Sequence, residues 1–244
     1  MNRLKDKVVI ITGAGSGQGA TEARLFAAEG AKLILTDINA EAGEQVAREI
    51  GDQAIFVKHD VSREADWQQV VAAALDKFGR VDVLINNAGI YAQGRFQEAD
   101  VESFDRFFEV NARGTFLGMK AVQEPMLKAG GGSIVNISSL VGTRGMANAF
   151  SYSTSKWMVR GISKCAAVDL AESNIRVNAI LPGLIDTPMI RVNKPEFLEA
   201  FTQSIPAKRL GTTEDIAHAA LYLASDESAY IMGAEIAVCG AVGA

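Results

Sequence analysis

A tyrosine and a lysine four positions apart, Tyr152 and Lys156, form the pair in this sequence best suited to acid–base chemistry. Residues at positions i and i+4 share one face of a helix, so the lysine ammonium would lie one turn from the phenol. A free tyrosine has a pKa of about 10, and a neighbouring cation favours its ionised form. We therefore predict that Lys156 lowers the pKa of Tyr152, which could then take a proton from an alcohol or return one to a ketone.

Two adjacent serines, Ser138 and Ser139, end a β-branched segment that we predict to be a strand. Parallel sheets place their sites at the carboxyl ends of strands, and a hydroxyl there could hold a substrate oxygen. A Tyr-x-x-x-Lys pair alone is more often a solvated helix face. The combination of serine, tyrosine and lysine, and not any one of them, therefore predicts a catalytic site.

A glycine-rich turn follows the first predicted strand and fits the spacing T-G-x-x-x-G-x-G. Glycines allow a tight turn and let a pyrophosphate approach backbone amides, and the helix that follows directs its positive end at the phosphates. The G-x-G-x-x-G spacing fails, because Gln18 stands where a small residue is needed. The turn residues that we expect to contact a dinucleotide are Gly13, Ser16, Gly17, Gln18 and Gly19.

An acidic residue, Asp37, ends the second predicted strand, roughly 20 residues after the glycines. Its carboxylate could accept hydrogen bonds from the adenosine ribose and would repel a 2′-phosphate. This arrangement predicts a preference for NAD(H) over NADP(H). Two alternatives stay open: Asp37 could only cap the next helix, and the protein could be an NADP-preferring carbonyl reductase.

The chain alternates β-branched runs with longer helical segments, a pattern typical of a parallel sheet covered on both faces. We predict one α/β domain over residues 1–244, a Rossmann-type doubly wound sheet of about seven strands with helices on both faces. The predicted strands are 8–12, 32–36, 54–58, 81–86, 133–138, 176–181 and 235–238, and the predicted helices are 19–29, 41–50, 64–78, 101–128 with a break, 150–170 and 213–224. A proline-rich stretch at about 184–211 is predicted to be a substrate lid holding only short helices, the alternative being a surface insertion without function.

Composition narrows the class of protein. The 244 residues carry a net charge of −5, which disfavours nucleic acid or an anionic membrane as partner. No apolar stretch reaches the roughly 18 residues of a membrane span, and the first residues are unlike a signal peptide. Two separated cysteines, Cys165 and Cys239, suggest a reducing cytoplasm, and His59 and His218 lack metal-ligand spacing. We therefore expect a cytoplasmic enzyme with a small-molecule substrate and no metal.

Taken together, these motifs resemble those of the classical short-chain dehydrogenase/reductase family over essentially the whole chain. The resemblance implies catalytic roles for Asn111, Ser139, Tyr152 and Lys156, with Ser139 preferred over Ser138 for its spacing to the tyrosine. It implies that Asn111 supports a water that relays protons from the lysine to solvent. The further cofactor contacts that it implies are Asp60, Val61, Asn87, Ala88, Gly89, Pro182, Gly183, Ile185 and Thr187. It also implies a homotetramer built through the helices that end at 128 and 170.

The same resemblance indicates which segments form the substrate pocket. Its predicted walls are Tyr91, Gln93, Leu140, Val141, Met146, Phe150, Leu184, Met189 and Ile190. Most are apolar, which favours a cyclic or aryl/alkyl secondary alcohol, hydroxysteroids included, over a charged substrate. Arg144 is the exception, and we interpret it as a solvated loop residue.

The sequence disfavours three other functions. Epimerisation or dehydration on the same scaffold is disfavoured by the intact Ser/Tyr/Lys set, and a serine hydrolase by the absence of G-x-S-x-G. A non-catalytic nicotinamide-sensing protein would be expected to lose the tyrosine or the lysine. The last turn reads Val238-Cys239-Gly240-Ala241 in place of the family's V-D-G-G, so the packing of the carboxyl terminus is left open.

Overall fold

The protein folds around one sheet of seven parallel strands in the order β3-β2-β1-β4-β5-β6-β7. This computed structural model describes residues 2–243, so the two end positions of the predicted 1–244 domain lie outside it. The strands are β1 Val8–Thr12, β2 Lys32–Asp37, β3 Ala54–Lys58, β4 Val83–Asn86, β5 Gly132–Ile137, β6 Ile175–Pro182 and β7 Glu235–Val238. The predicted doubly wound fold with seven strands is confirmed.

Residues 2–243 form eight α-helices, and six of them pack against the two faces of this sheet. The eight helices are α1 Gly17–Ala28, α2 Ala40–Ile50, α3 Glu64–Phe78, α4 Val101–Phe107, α5 Gly114–Ala129, α6 Phe150–Leu170, α7 Pro195–Ser204 and α8 Thr213–Ala224. One core joins the sheet to α1, α2 and α8 around Phe26, and the other joins it to α3, α5 and α6 around Trp67. The strands read as continuous apolar runs because both of their faces are buried.

The order of the strands places a cleft between β1 and β4. The chain passes from β1 outward to β2 and β3, then returns across the sheet to β4 on the other side of β1. Crossovers that leave in opposite directions open a crevice at the carboxyl ends of the strands, where ligands of such folds bind. Every motif singled out in the sequence lies at or near this edge.

Two predicted boundaries need correction. The first helix begins at Gly17, two residues before the predicted 19, because Ser16 takes the extended conformation of an N-cap. The fourth strand begins at Val83, two residues after the predicted 81. The other strands match their predicted bounds to within one residue.

The break predicted within 101–128 is a π-helical segment and not a loop. Residues Phe108–Arg113 form a π-helical segment that joins α4 to α5. The Thr115 hydroxyl donates to the Asn111 carbonyl oxygen at 2.8 Å and satisfies that acceptor. Segments of this kind occur mostly at functional sites, and this one carries a candidate catalytic residue.

The predicted lid contains one 3₁₀ turn, Pro188–Val192, and the ten-residue helix α7. Proline starts both, since its missing N–H is no loss in the first helical turn. Within residues 2–243, no helix combines the length and the apolar character that crossing a bilayer requires.

Candidate active site

A cleft of about 380 Å³ opens at the carboxyl edge of the sheet, within the size range of small-molecule sites. Nearly all the predicted cofactor contacts line it. Those that do are Gly13, Ser16, Gly17, Gln18, Asp37, Asp60, Val61, Asn87, Ala88, Gly89, Tyr152, Lys156, Pro182, Gly183, Ile185 and Thr187. The exception is Gly19, which is buried beneath the turn.

The glycine turn is built by close backbone packing. Gly13 has a φ of +65°, and a Cβ there would lie 2.9 Å from Ala88 Cα. A Cβ on Gly19 would collide with the Gly13 carbonyl oxygen. Gly19 therefore supports the turn from below and does not contact the cleft, which corrects its predicted role. A side chain at Gly13 would displace the loop after β4, so the floor of the cleft depends on these glycines.

The loop after β4 is bonded directly to this turn. The Thr12 hydroxyl accepts hydrogen bonds from the backbone amides of Asn87 and Ala88, at 3.1 and 3.0 Å. The Asn87 side chain donates to the Thr12 carbonyl oxygen at 2.9 Å. The two loops that flank the cleft are thereby held in a fixed relation.

The Asp37 carboxylate holds the backbone in place at the end of the cleft formed by the glycine turn. It accepts from the backbone amides of Gly15 and Asn39, each at 2.9 Å. The alternative role of helix cap is wrong, because Asn39 caps α2 by accepting from the Ala42 amide. Sequence reasoning gave Gly15 no role, yet a Cβ there would lie 2.9 Å from the Asp37 carboxylate.

Lys156 and Asn111 both approach Gly89 from the side where a Cβ would stand. Lys156 is 5 % exposed, and its ammonium donates to the Ile137 carbonyl oxygen at 2.9 Å. The Asn111 amide accepts from the Ile90 backbone N–H at 2.8 Å and donates to the Ser155 hydroxyl at 2.9 Å. A Cβ on Gly89 would lie 3.1 Å from Asn111 Oδ1 and 3.4 Å from Lys156 Nζ. Asn111 itself does not line the cleft but braces the loop that does.

The pKa of Tyr152 does not follow the sequence expectation. Burial raises it to about 12, and the hydrogen bond with the Ser139 side chain offsets only part of that effect. Lys156 Nζ lies 5.8 Å from the centre of the tyrosine ring, and burial lowers the pKa of Lys156 to about 8. The protein alone therefore keeps the phenol protonated. The Lys156 ammonium is bonded to the Ile137 carbonyl oxygen, and its charge alone does not offset the effect of desolvation on the phenol.

The two serines point in different directions. The Ser138 hydroxyl donates to the Lys156 carbonyl oxygen at 2.8 Å and so ties β5 to α6. The Ser139 side chain interacts with Tyr152, and both residues line the cleft. Only Ser139 therefore stands where a substrate oxygen beside the phenol could contact it.

One end of the cleft is apolar, and seven of the nine predicted pocket residues line it. These are Tyr91, Leu140, Val141, Met146, Leu184, Met189 and Ile190. Phe150 is not among the residues that line the cleft, and its ring packs edge-on against Phe96 at 5.0 Å. Gln93 does not line it either, and its amide is bonded to Asn193, a cleft residue, at 2.7 Å. The exposed Arg144 does not line the cleft either.

Comparison with known proteins identifies the family. A family model described as enoyl-(acyl carrier protein) reductase matches residues 13–242. A dehydrogenase of Sphingobium indicum, named for 2,5-dichloro-2,5-cyclohexadiene-1,4-diol, is 43 % identical over 242 residues, which cover 98 % of this chain and 97 % of that protein. The chain belongs to the short-chain dehydrogenase/reductase family.

Two further members of the family show the range of similarity. The 3-alpha-(or 20-beta)-hydroxysteroid dehydrogenase of Mycobacterium tuberculosis is 40 % identical over 238 residues, covering 98 % of this chain and 90 % of that one. The 3-ketoacyl-(acyl-carrier-protein) reductase of Brucella melitensis, solved with NADH, is 37 % identical with a TM-score of 0.94, covering 99 % of this chain and all of that one. The family uses nicotinamide cofactors, and this chain is an oxidoreductase of that type.

Several cleft residues had no place in the sequence interpretation. They are Thr36, Ile38, His59, Ile90, Arg106, Val110, Ile137, Pro188, Asn193, Phe197, Phe201 and Val242. Phe197 and Phe201 lie on α7 at a helical i, i+4 spacing, which was a signal that the lid presents an aromatic face. Val242 shows that the atypical carboxyl-terminal turn packs onto the cleft, where a Cβ on Gly183 would lie 2.8 Å from Cys239 Cα.

Proposed function

We propose that this protein is an NAD(H)-dependent dehydrogenase that interconverts an apolar secondary alcohol and its ketone. The observation that carries the proposal is the convergence of the Tyr152 phenol and the Ser139 side chain within one cleft. That cleft has a glycine turn at one end and apolar walls at the other. The first end suits a dinucleotide and the second an uncharged substrate.

The residues present fit a nicotinamide dinucleotide. The glycine turn leaves no room for side chains at Gly13 or Gly15, so backbone amides stay accessible to a pyrophosphate. Asp37 lines the adenosine end, and its two oxygens retain lone pairs beyond those that accept from Gly15 and Asn39. We propose that these lone pairs accept from ribose hydroxyls. The 2′-phosphate of NADP(H) would be repelled by the negative charge of this carboxylate.

The proposed chemistry centres on the Tyr152 proton. Bound nicotinamide would accept or deliver hydride and, when oxidised, would add a positive charge near the phenol. In the direction of ketone reduction, protonated Tyr152 donates its proton to the substrate oxygen while the Ser139 hydroxyl holds that oxygen. In the direction of oxidation, Tyr152 must first lose its proton. Lys156 and the cofactor charge together are proposed to counter the effect of burial on its pKa.

Asn111 is proposed to connect this proton to solvent. Lys156 Nζ and Asn111 Oδ1 face the same backbone position, Gly89. A water held between them would pass protons from Lys156 outward, as the family resemblance implies. Asn111 would act as a positioning residue, since both ends of its amide already brace the loop after β4.

The substrate is proposed to be a cyclic or aryl/alkyl secondary alcohol. Leu140, Met189 and Phe197 at the apolar end of the cleft carry no charge that could bind a carboxylate or a phosphate. The cations that line the cleft are Lys156, bonded to the Ile137 carbonyl oxygen, and Arg106, close to Asp60. The two named relatives act on a chlorinated cyclohexadienediol and on hydroxysteroids, so they bracket small and large rings. A ring alcohol between these sizes is the first class to test.

The experiment mixes the protein with NAD and a panel of cyclic, aryl and steroid alcohols, and follows absorbance of reduced nicotinamide. We expect turnover with at least one apolar ring alcohol, and a kcat/KM with NAD at least tenfold above that with NADP. Equal or better use of NADP would overturn the cofactor assignment. Tight cofactor binding without turnover of any alcohol or ketone would instead indicate a nicotinamide-sensing protein.

A further inference from the structure

The first helix holds a buried polar cluster that the proposed chemistry does not use. Glu22, in the middle of α1, is completely buried, and neither of its carboxylate oxygens has a hydrogen-bond partner among the described residues. Gln18, one turn earlier, lines the cofactor cleft, and its amide oxygen is likewise buried without a partner. A buried oxygen without a hydrogen-bond partner destabilises the folded state, and α1 carries three of them.

The two side chains belong to one face of α1. Positions i and i+4 are neighbours on a helix, and long helical side chains extend over the preceding turn. The Glu22 carboxyl group therefore extends toward Gln18. Because Gln18 Oε1 is buried while its side chain lines the cleft, the amide oxygen is turned inward and the NH₂ end is left for the cleft.

An ionised carboxylate and an amide oxygen are both acceptors and cannot bond to each other. A proton on Glu22 would supply the missing donor and pair two of the three oxygens at once. Burial raises the pKa of Glu22 to about 8, so the carboxyl group carries this proton at neutral pH.

The charged groups on the elements that pack against α1 do not shift the pKa of the Glu22 carboxyl group. These elements are α2, α8, β1 and β2. Of their charged side chains, Glu41, Glu44, Arg48, Glu49, Glu214 and His218 are exposed, Asp37 is bonded to backbone amides, Lys32 pairs with Asp6, and Asp215 pairs with Arg209. None of them perturbs the Glu22 pKa, whose only cause of shift is burial.

We propose that protonated Glu22 is a positioning residue that donates to Gln18 Oε1 and thereby directs Gln18 Nε2 into the cleft as a donor to the cofactor pyrophosphate. The proposal rests on the proposed dinucleotide site. When Glu22 loses its proton the amide turns over: Nε2 donates to the carboxylate and Oε1 faces the phosphates. Cofactor affinity should therefore fall as pH rises through about 8.

The test measures the NADH dissociation constant by fluorescence titration between pH 6.5 and pH 9.5 for the native protein, Glu22→Gln and Gln18→Leu. The native constant should rise about tenfold across this range, the effect of losing one charge-assisted hydrogen bond. Glu22→Gln keeps an N–H donor at every pH, so its affinity should stay near the low-pH native value. Gln18→Leu should bind weakly with a flat profile, apart from any change shared with Glu22→Gln, such as titration of Lys156.

A second readout uses the protein without cofactor. Because the folded state holds the Glu22 proton up to about pH 8 and the unfolded chain releases it near its ordinary pKa of about 4.5, native stability should fall over that window. Native Tm should therefore drop, relative to Glu22→Gln, between about pH 5 and pH 8. Parallel Tm profiles, or a pH-dependent NADH affinity that persists unchanged in Glu22→Gln, would overturn the inference. Native protein that binds no NADH at any pH would instead refute the dinucleotide site, while the Tm comparison would still report on the Glu22 proton.

Discussion

At Tyr152, burial and positive charge act on the pKa in opposite directions. Without bound cofactor the effect of burial is the larger, and it raises the pKa of Tyr152 to about 12. Lys156 Nζ lies 5.8 Å from the centre of the tyrosine ring. Each pKa unit corresponds to about 1.4 kcal/mol, so restoring an ionised phenol near pH 7 requires on the order of 7 kcal/mol. One ammonium bonded to a carbonyl is not expected to supply that much. Ionisation of Tyr152 near neutral pH therefore requires the positive charge of the oxidised cofactor as well as that of Lys156.

The contribution of Lys156 can be measured with Lys156→Met, which keeps an unbranched side chain one atom shorter and removes the charge. We expect kcat/KM for alcohol oxidation to fall by about 10²–10⁴-fold, with the rate rising only at higher pH because the phenol holds its proton more tightly. Lys164→Met, two turns further along α6 and exposed, is the matched control and should retain native rates. An unshifted pH profile in Lys156→Met would show that the lysine has no part in tuning the phenol.

At the scale of elements, the side chain of Asn193 bonds the predicted lid to the loop after β4. Asn193 is 5 % exposed, and its amide oxygen accepts from the Tyr91 hydroxyl at 3.1 Å and from Gln93 Nε2 at 2.7 Å. Its own NH₂ group donates to the Ile190 carbonyl oxygen at 2.7 Å. The Tyr91 ring in turn packs edge-on against Tyr152 at 5.0 Å. Lid position and phenol position are therefore linked through contiguous contacts.

Asn193→Ala removes these bonds. Each is expected to contribute about 1 kcal/mol, so the lid should open more often and KM for the substrate should rise about 5–30-fold. Limited proteolysis should cleave residues 184–211 faster, while kcat at saturating substrate changes less. Lys194→Ala, an exposed neighbour, serves as the control. Unchanged KM together with an unchanged proteolysis rate would show that the lid is held by other contacts.

The sequence was informative where periodicity and spacing carry the signal. Continuous apolar runs such as Val8–Thr12 predicted the strands of a two-sided sheet, and the glycine spacing predicted the turn after β1. The π-helical segment around Asn111 was visible only as a break, because no residue pattern specifies an i, i+5 hydrogen bond. Gln93 and Phe150 do not line the cleft, because sequence position does not fix which way a loop residue or the first residue of a helix directs its side chain.

Electrostatics was the other part that sequence could not supply. The i, i+4 spacing of Tyr152 and Lys156 predicts proximity, but the sign of the pKa shift depends on burial and on the competing Ile137 carbonyl. Glu22 belongs to none of the sequence motifs, and only the packing of α1 shows that it is buried. Both cases turn on desolvation, which is a property of the folded molecule.

At the scale of the whole molecule, the helices α4, α5 and α6 and the segment that joins α4 to α5 leave large apolar side chains exposed. They include Phe104, Phe108, Phe116, Leu127, Trp157, Met158 and Val168. Exposed apolar side chains gathered on neighbouring helices are typical of an interaction surface. We propose that they cover one another in the homotetramer that the family resemblance implies.

Light scattering should therefore give a mass near four times 26.0 kDa for the native protein. Phe116→Asp should shift it to smaller species, because a carboxylate cannot be buried unpaired at an apolar interface. Leu75→Asp, on the outer side of α3 with a similar exposure, should keep the native mass. A native monomer at micromolar concentration would rule this assembly out.

The most direct test of the central claim compares native protein with Tyr152→Phe in NAD-linked oxidation of a ring alcohol that the native protein turns over. Loss of the phenol hydroxyl removes the proposed acid and base, so turnover should fall by about 10²–10⁴-fold while NADH binding is kept. Tyr222→Phe, which alters a tyrosine on α8, should leave the rate unchanged. Native turnover in Tyr152→Phe would contradict the account.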